Sequence, residues 1–69
     1  MYTVYAKNFA HTVEFEETYL ELEYALQIYK TAKSAVDCES VGLLDATTGE
    51  ILKDWNHREG EWFSPSFKK

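Results

Sequence analysis

The chain has 69 residues, with 12 Asp and Glu against 7 Lys and Arg for a formal net charge of −5. A chain this short forms one domain and buries only about 60% of the surface its unfolded form exposes, leaving no room for a deep catalytic cleft beside a complete core. The acidic balance argues against binding nucleic acid through its phosphates, which needs a footprint of Lys and Arg.

The segment "YTVYAK" (2–7) alternates, with Tyr2, Val4 and Ala6 on one side and Thr3, Tyr5 and Lys7 on the other. Period-two alternation of β-branched and aromatic residues predicts a half-buried strand. "HTVEFE" (11–16) repeats the pattern, with Val13 and Phe15 facing in and Thr12, Glu14 and Glu16 facing out. A short loop between them makes a first hairpin. "TYLE" (18–21) then reads as a capping box, in which the Thr18 hydroxyl and the Glu21 carboxylate cap each other's amides. Leu22, Ala25, Leu26, Tyr29, Ala32 and Val36 follow at spacings of three and four, one apolar stripe of a helix. Glu16, Glu17, Glu21 and Glu23 crowd its start and Lys30 and Lys33 its end, the order a helix dipole prefers.

"VGLLDATTGEIL" (41–52) places a cluster of turn formers between two apolar runs. Gly49 stands where a three- or four-residue hairpin loop needs a positive φ, and Asp45 is set to bond its own downstream amides. Calcium loops use similar residues but need several carboxylates at alternate positions, whereas this stretch supplies only Asp45 and Glu50. The cluster is a corner. From His57 onward, "HREGEWFSPSFKK" shows no periodicity, so residues 1–56 read as a single α+β domain and 57–69 as a C-terminal tail. Trp62, Phe63 and Phe67 fall within that tail, and disordered tails are normally poor in aromatics, so docking is expected over fraying.

The expected architecture is two-layered, an antiparallel sheet of three or four strands with one helix on one face, in the order β-β-α-β-β. Short turns between strands require the antiparallel arrangement.

Enzyme motifs are missing: there is no Gly-rich phosphate loop, metal-ligand cluster or nucleophile elbow. No catalytic, metal-binding or cofactor-binding residue is assigned. Cys38 is the only cysteine, flanked by Asp37 and Glu39, which disfavour a thiolate. His11 and His57 lie near strand ends. With no secretory signal or apolar run of membrane-spanning length at hand, a reducing cytoplasm is the expected compartment.

What remains is surface, and 16% of the residues are aromatic, more than a core this thin is expected to hold. A helix on one face leaves the other to carry Tyr5 with Leu44 or Trp55. The candidate partner-binding residues are therefore Tyr5, Trp55, Trp62, Phe63 and Phe67. The leading reading is a non-enzymatic protein-interaction module that binds a protein partner or itself, a homodimer, through its open sheet face and aromatic tail. A second reading is an acidic inhibitor presenting Glu14, Glu16, Glu21 and Glu23 to a basic nucleic-acid-binding site. A third is a small-ligand binder with a site between two copies.

The run "YTVYAKNF", one amphipathic helix and then "VGLLDATTGEIL" resembles small uncharacterised bacterial and bacteriophage proteins. These share a hairpin of the form hydrophobic run, Asp-x-x-Thr-Gly-Glu, hydrophobic run after a helix. The resemblance covers residues 2–55 and rests on the turn signature. It implies a phage or mobile-element accessory protein that acts by adhering to a host protein, in some cases by mimicking the charge of DNA.

Overall fold

The computed structural model describes residues 1–35 and 38–65. In chain order they form β1 (Tyr2–Asn8), β2 (Val13–Tyr19), α1 (Leu22–Lys33), β3 (Cys38–Asp45), β4 (Ile51–Asn56) and β5 (Gly60–Phe63). All neighbouring strands pair antiparallel in one five-stranded sheet of order β2-β1-β3-β4-β5. Val36, Asp37 and Phe67 lie outside the described residues.

The α+β class and the antiparallel sheet with one helix are as expected, but the strand count is five rather than three or four. The extra strand is Gly60–Phe63, inside the segment read as a tail. Four residues are too few to show alternation, so this strand exists through its ladder with β4 and leaves little local pattern.

The start of the helix also differs. Thr18 belongs to β2, and its hydroxyl bonds that of Thr3 across the ladder at 2.8 Å. Glu21 occupies the N-cap position with extended backbone and makes no side-chain cap. A capping box is worth about 1 kcal/mol. Here that local signal loses to a seven-residue strand whose pairing with β1 runs on to Tyr19.

Register defines the two faces, because directly opposed residues share a side. One row runs Glu17, Val4, Leu43, Lys53, Phe63 and the next Phe15, Ala6, Val41, Trp55, Glu61. Val4, Val41 and Leu43 from these rows are fully buried with Ala25 and Tyr29 of α1, so this is the helix side. Burying each of those three aliphatic side chains contributes roughly 1.5–3 kcal/mol. A register shift in the β3–β4 ladder between Leu43 and Leu44 adds one residue to β4. As a bulge does, it lets consecutive residues serve one side: Leu52 joins the core while the Lys53 ammonium lies over the Tyr29 ring.

The opposite row, Glu16, Tyr5, Gly42, Asp54, Trp62, forms the open face, which no other element covers among the described residues. Tyr5 lies flat across β3, its ring and hydroxyl occupying the space a side chain at Gly42 would need. Gly42 is buried as a result.

All three hairpins open on an Asx residue. Asn8, Asp45 and Asn56 each accept, through the side-chain oxygen, the amide two residues on: Ala10 at 2.9 Å, Thr47 at 2.9 Å and Arg58 at 3.0 Å. Gly49 (φ 81°) and Gly60 (φ 86°) provide the left-handed residue that closes the second and third loops, and His11 (φ 65°) does so in the first.

Gly42→Ala should cost about 2 kcal/mol through overpacking against Tyr5, lowering the melting temperature by roughly 10 °C in a domain of this size. The cost should shrink in a Tyr5→Ala background. Equal penalties in both backgrounds, measured by thermal denaturation of the double-mutant cycle, would show that the ring is not what excludes a side chain there.

Candidate functional site

Among the described residues four large aromatics are exposed, and two of them, Trp62 and Phe63, are consecutive on the edge strand β5, while Phe9 lies in the first hairpin loop and Tyr24 on the helix. Trp62 and Phe63 are each 50% exposed. They stand on opposite faces of the sheet, Trp62 opposite Asp54 on the open side and Phe63 opposite Lys53 on the helix side. The Ser64 amide donates to the Leu52 carbonyl at 2.8 Å. Backbone alternation therefore turns the peptide groups of Trp62 and Gly60 toward β4 and those of Glu61 and Phe63 outward. Among the described residues no strand pairs with that outward row.

The other sheet edge is different. β2 carries Glu14, Glu16 and Glu17, charges of the kind that keep an edge from pairing. β5 has one charge, Glu61, and it is occupied within the chain. Its carboxylate lies 3.1 Å from the Lys33 ammonium of α1 and 3.5 Å from that of Lys53 on β4. Both ammoniums sit 5.1 Å from the centre of the Tyr29 ring, and Lys53 also lies 4.8 Å from that of Phe63. Burial acts to raise the Glu61 carboxyl, but the Lys33 hydrogen bond, with the adjacent Tyr29 and Lys53, outweighs it and holds the group below its ordinary range.

Tyr29 is completely buried beneath this cluster. Among the described residues its hydroxyl meets no acceptor in strict hydrogen-bond geometry, although the Glu61 carboxylate lies close enough to interact with it. Burial first, then Glu61, pushes the phenol far above its usual range.

Two concavities lie among the described residues. A polar hollow of about 360 Å³ opens at the end of the open face, where Tyr5, His11, Glu39, Asp54 and His57 contribute to its wall. His11 Nδ1 lies 3.2 Å from Glu39, a contact that becomes an ion pair when the imidazole is protonated. The His57 ring meets Phe9 edge-on at 4.8 Å. Burial raises the Asp54 carboxyl, with the Trp55 amide and Lys7 opposing, and burial with Asp54 raises the Tyr5 phenol. Among the described residues no three His, Cys, Asp or Glu side chains are grouped to hold a metal. An apolar cleft of about 420 Å³ lies between the helix and β1–β2, walled in part by Phe15, Tyr19, Ile28 and Ala32. Cys38 is buried at its side.

The structure divides the residues named from the sequence. Tyr5 and Trp62 share the open face, with Leu44 on the same side, whereas Trp55 lies on the helix side, half-buried against the core. Tyr5 and Trp55 therefore do not build one patch. Phe63 joins Trp55 on the helix side, and Phe67 lies outside the described residues. The four glutamates of the acidic reading are also split, Glu16 on the open face and Glu21 and Glu23 at the start of the helix that covers the other. Glu14 is bound by the Asn8 amide at 2.8 Å.

Sequence reasoning missed the Glu61 cluster, whose members come from three separate elements. The two histidines, which the sequence puts near strand ends where a sheet could bring them together, both line the polar hollow. A usable signal for β5 was present: Asn56-x-x-x-Gly60 repeats the spacing of Asp45-x-x-x-Gly49. No helix among the described residues is long and apolar enough to cross a membrane. No protein-family model, curated protein or solved structure matches the chain.

Glu61→Gln should lower stability at pH 7 by about 1 kcal/mol, the upper range for a partly exposed ion pair. Because the folded carboxyl is lowered from its ordinary 4.5, the stabilisation is complete above that value and is lost as pH falls through the folded one. Denaturant titrations at pH 7 and pH 3 should show the difference between native and variant chains narrowing at the lower pH.

Proposed function

We propose that this chain is a non-enzymatic protein-interaction module whose contact surface is the free edge of β5, flanked by Trp62 and Phe63. The observation that carries this reading is the half-exposure of two large aromatics, one on each face of a terminal strand. Aromatic side chains dominate the energetics of protein interfaces, and exposed apolar groups on a small domain mark association sites. An unpaired edge adds main-chain hydrogen bonds to any strand laid against it, while side chains on both faces set its fit. With Glu61 held by Lys33 and Lys53, an incoming strand does not meet a bare carboxylate on β5. The turn-signature resemblance supports an accessory role in a phage or mobile element, acting on a host protein in the cytoplasm.

A second reading, small-ligand binding, is favoured by the polar hollow, whose volume of about 360 Å³ falls within the range typical of ligand sites. That hollow lies within one copy of the chain rather than between two.

The test compares tagged full-length chain, Trp62→Glu and Glu14→Gln/Glu16→Gln as baits, each presented with bacterial lysate and with untagged chain at low and high salt. The expected result is a protein retained at high salt by the native and glutamine baits and lost from Trp62→Glu. Retention that ignores Trp62 but is stripped by salt would move the site to the acidic residues and overturn the proposal. No retained protein, with a thermal shift on adding a small polar ligand, would favour the hollow.

A further inference from the structure

Resting on that reading of the β5 edge, we propose that its occupant is a second copy of this chain. The two β5 strands pair antiparallel about a two-fold axis at Trp62, and each five-stranded sheet continues into the other with both helices on the same side.

The edge itself selects this register. Opposed residues in an antiparallel pair must lie on the same face, so the axis passes through a residue of β5. Centred on Gly60 or on Glu61, the pairing would set two carboxylates against each other, Glu61 against Glu59 in the first case and against its own copy in the second, a destabilising arrangement. Centred on Phe63, it would oppose Glu61 with Pro65, which has no N–H to donate. Centred on Trp62, the outward peptide groups of Glu61 meet those of Phe63 in the second copy, and each residue's donor and acceptor finds a partner. Trp62 then faces Trp62 of the second copy in the non-hydrogen-bonded position, where Cα atoms approach to about 4.5 Å and side chains interact most closely.

Charge points to the same occupant. Each chain carries −5 overall, and the β2 edge, with its glutamates, repels its own copy. At β5 the single carboxylate is held by Lys33 and Lys53. In the chosen register Glu61 of the second copy comes opposite Phe63, beside which the Lys53 ammonium lies at 4.8 Å. The one charged residue of β5 in each copy is therefore met by a lysine. A domain of this size also gains most from area buried by self-association.

Two measurements test the proposal. Sedimentation of the native full-length chain over the micromolar to millimolar range should show a concentration-dependent dimer, and Trp62→Glu should remain monomeric. In a Cys38→Ala background, which removes the native thiol, Trp62→Cys should form a disulfide-linked dimer on mild oxidation. Glu61→Cys and Phe63→Cys should not, since neither residue meets itself across the axis. Linkage through Glu61→Cys or Phe63→Cys in preference to Trp62→Cys would overturn the register. A native chain that stays monomeric throughout would overturn the second-copy inference. If that monomer still retained a different protein through Trp62, the interaction reading would stand without it.

Discussion

A single helix about 10 Å across cannot cover a sheet whose strands are spaced about 4.8 Å apart. This mismatch of widths governs the rest of the molecule. α1 packs against β3 and β1 and reaches β2, which leaves β4 and β5 projecting past its other flank. The projecting strands need another attachment on the helix side, and Tyr29 with the Lys33–Glu61–Lys53 cluster provides it. The tyrosine ring fills the corner between helix and sheet. The two ammoniums lie against that ring, and the carboxylate of β5 draws them together. An ion pair of this exposure contributes modestly. Its position matters more than its strength, because it is the tether between α1 and the terminal strand.

The same geometry explains why the aromatics sit where they do. Trp55, close to the helix flank, is drawn into the margin of the core, whereas Phe63, one strand farther out, remains half exposed. On the open face Tyr5 spends its ring on covering Gly42, so Trp62 is the large aromatic left standing at that edge. The aromatics of the sheet and core thus divide between filling a thin core, shielding a glycine and flanking an edge, while Phe9 and Tyr24 stand exposed elsewhere, a division that composition alone does not show.

Much of the fold was legible in the residues because β1, β2, the helical stripe and the Asp45–Gly49 corner each express a local period or turn chemistry. Errors arose where a local signal met a nonlocal competitor. Thr18 and Glu21 have the spacing of a capping box, yet Thr18 serves the β1–β2 ladder through its bond to Thr3. β5 has no period to read, although Asn56 and Gly60 announce its hairpin in the same manner as Asp45 and Gly49. The candidate site was half legible: Trp62 and Phe63 stood out by type, but their placement on opposite faces depends on a register set by β4. The Glu61 cluster was illegible, since its three charged members are separated by up to 28 positions in the chain.

The sheet order has a consequence for how the chain is made. β1 lies between β2 and β3, so it acquires one neighbour from the hairpin that immediately follows and the other only after the whole helix has been synthesised. At ordinary translation rates, emission of the intervening segment takes on the order of seconds, far longer than the microseconds in which a hairpin forms. The nascent β1–β2 hairpin therefore spends an interval with the inner side of β1 bare, a template for any passing strand. A strand that ends up among the best protected in the finished sheet is thus bare along one side early in synthesis, with Lys7 and Asn8 as the polar pair at its end through that interval.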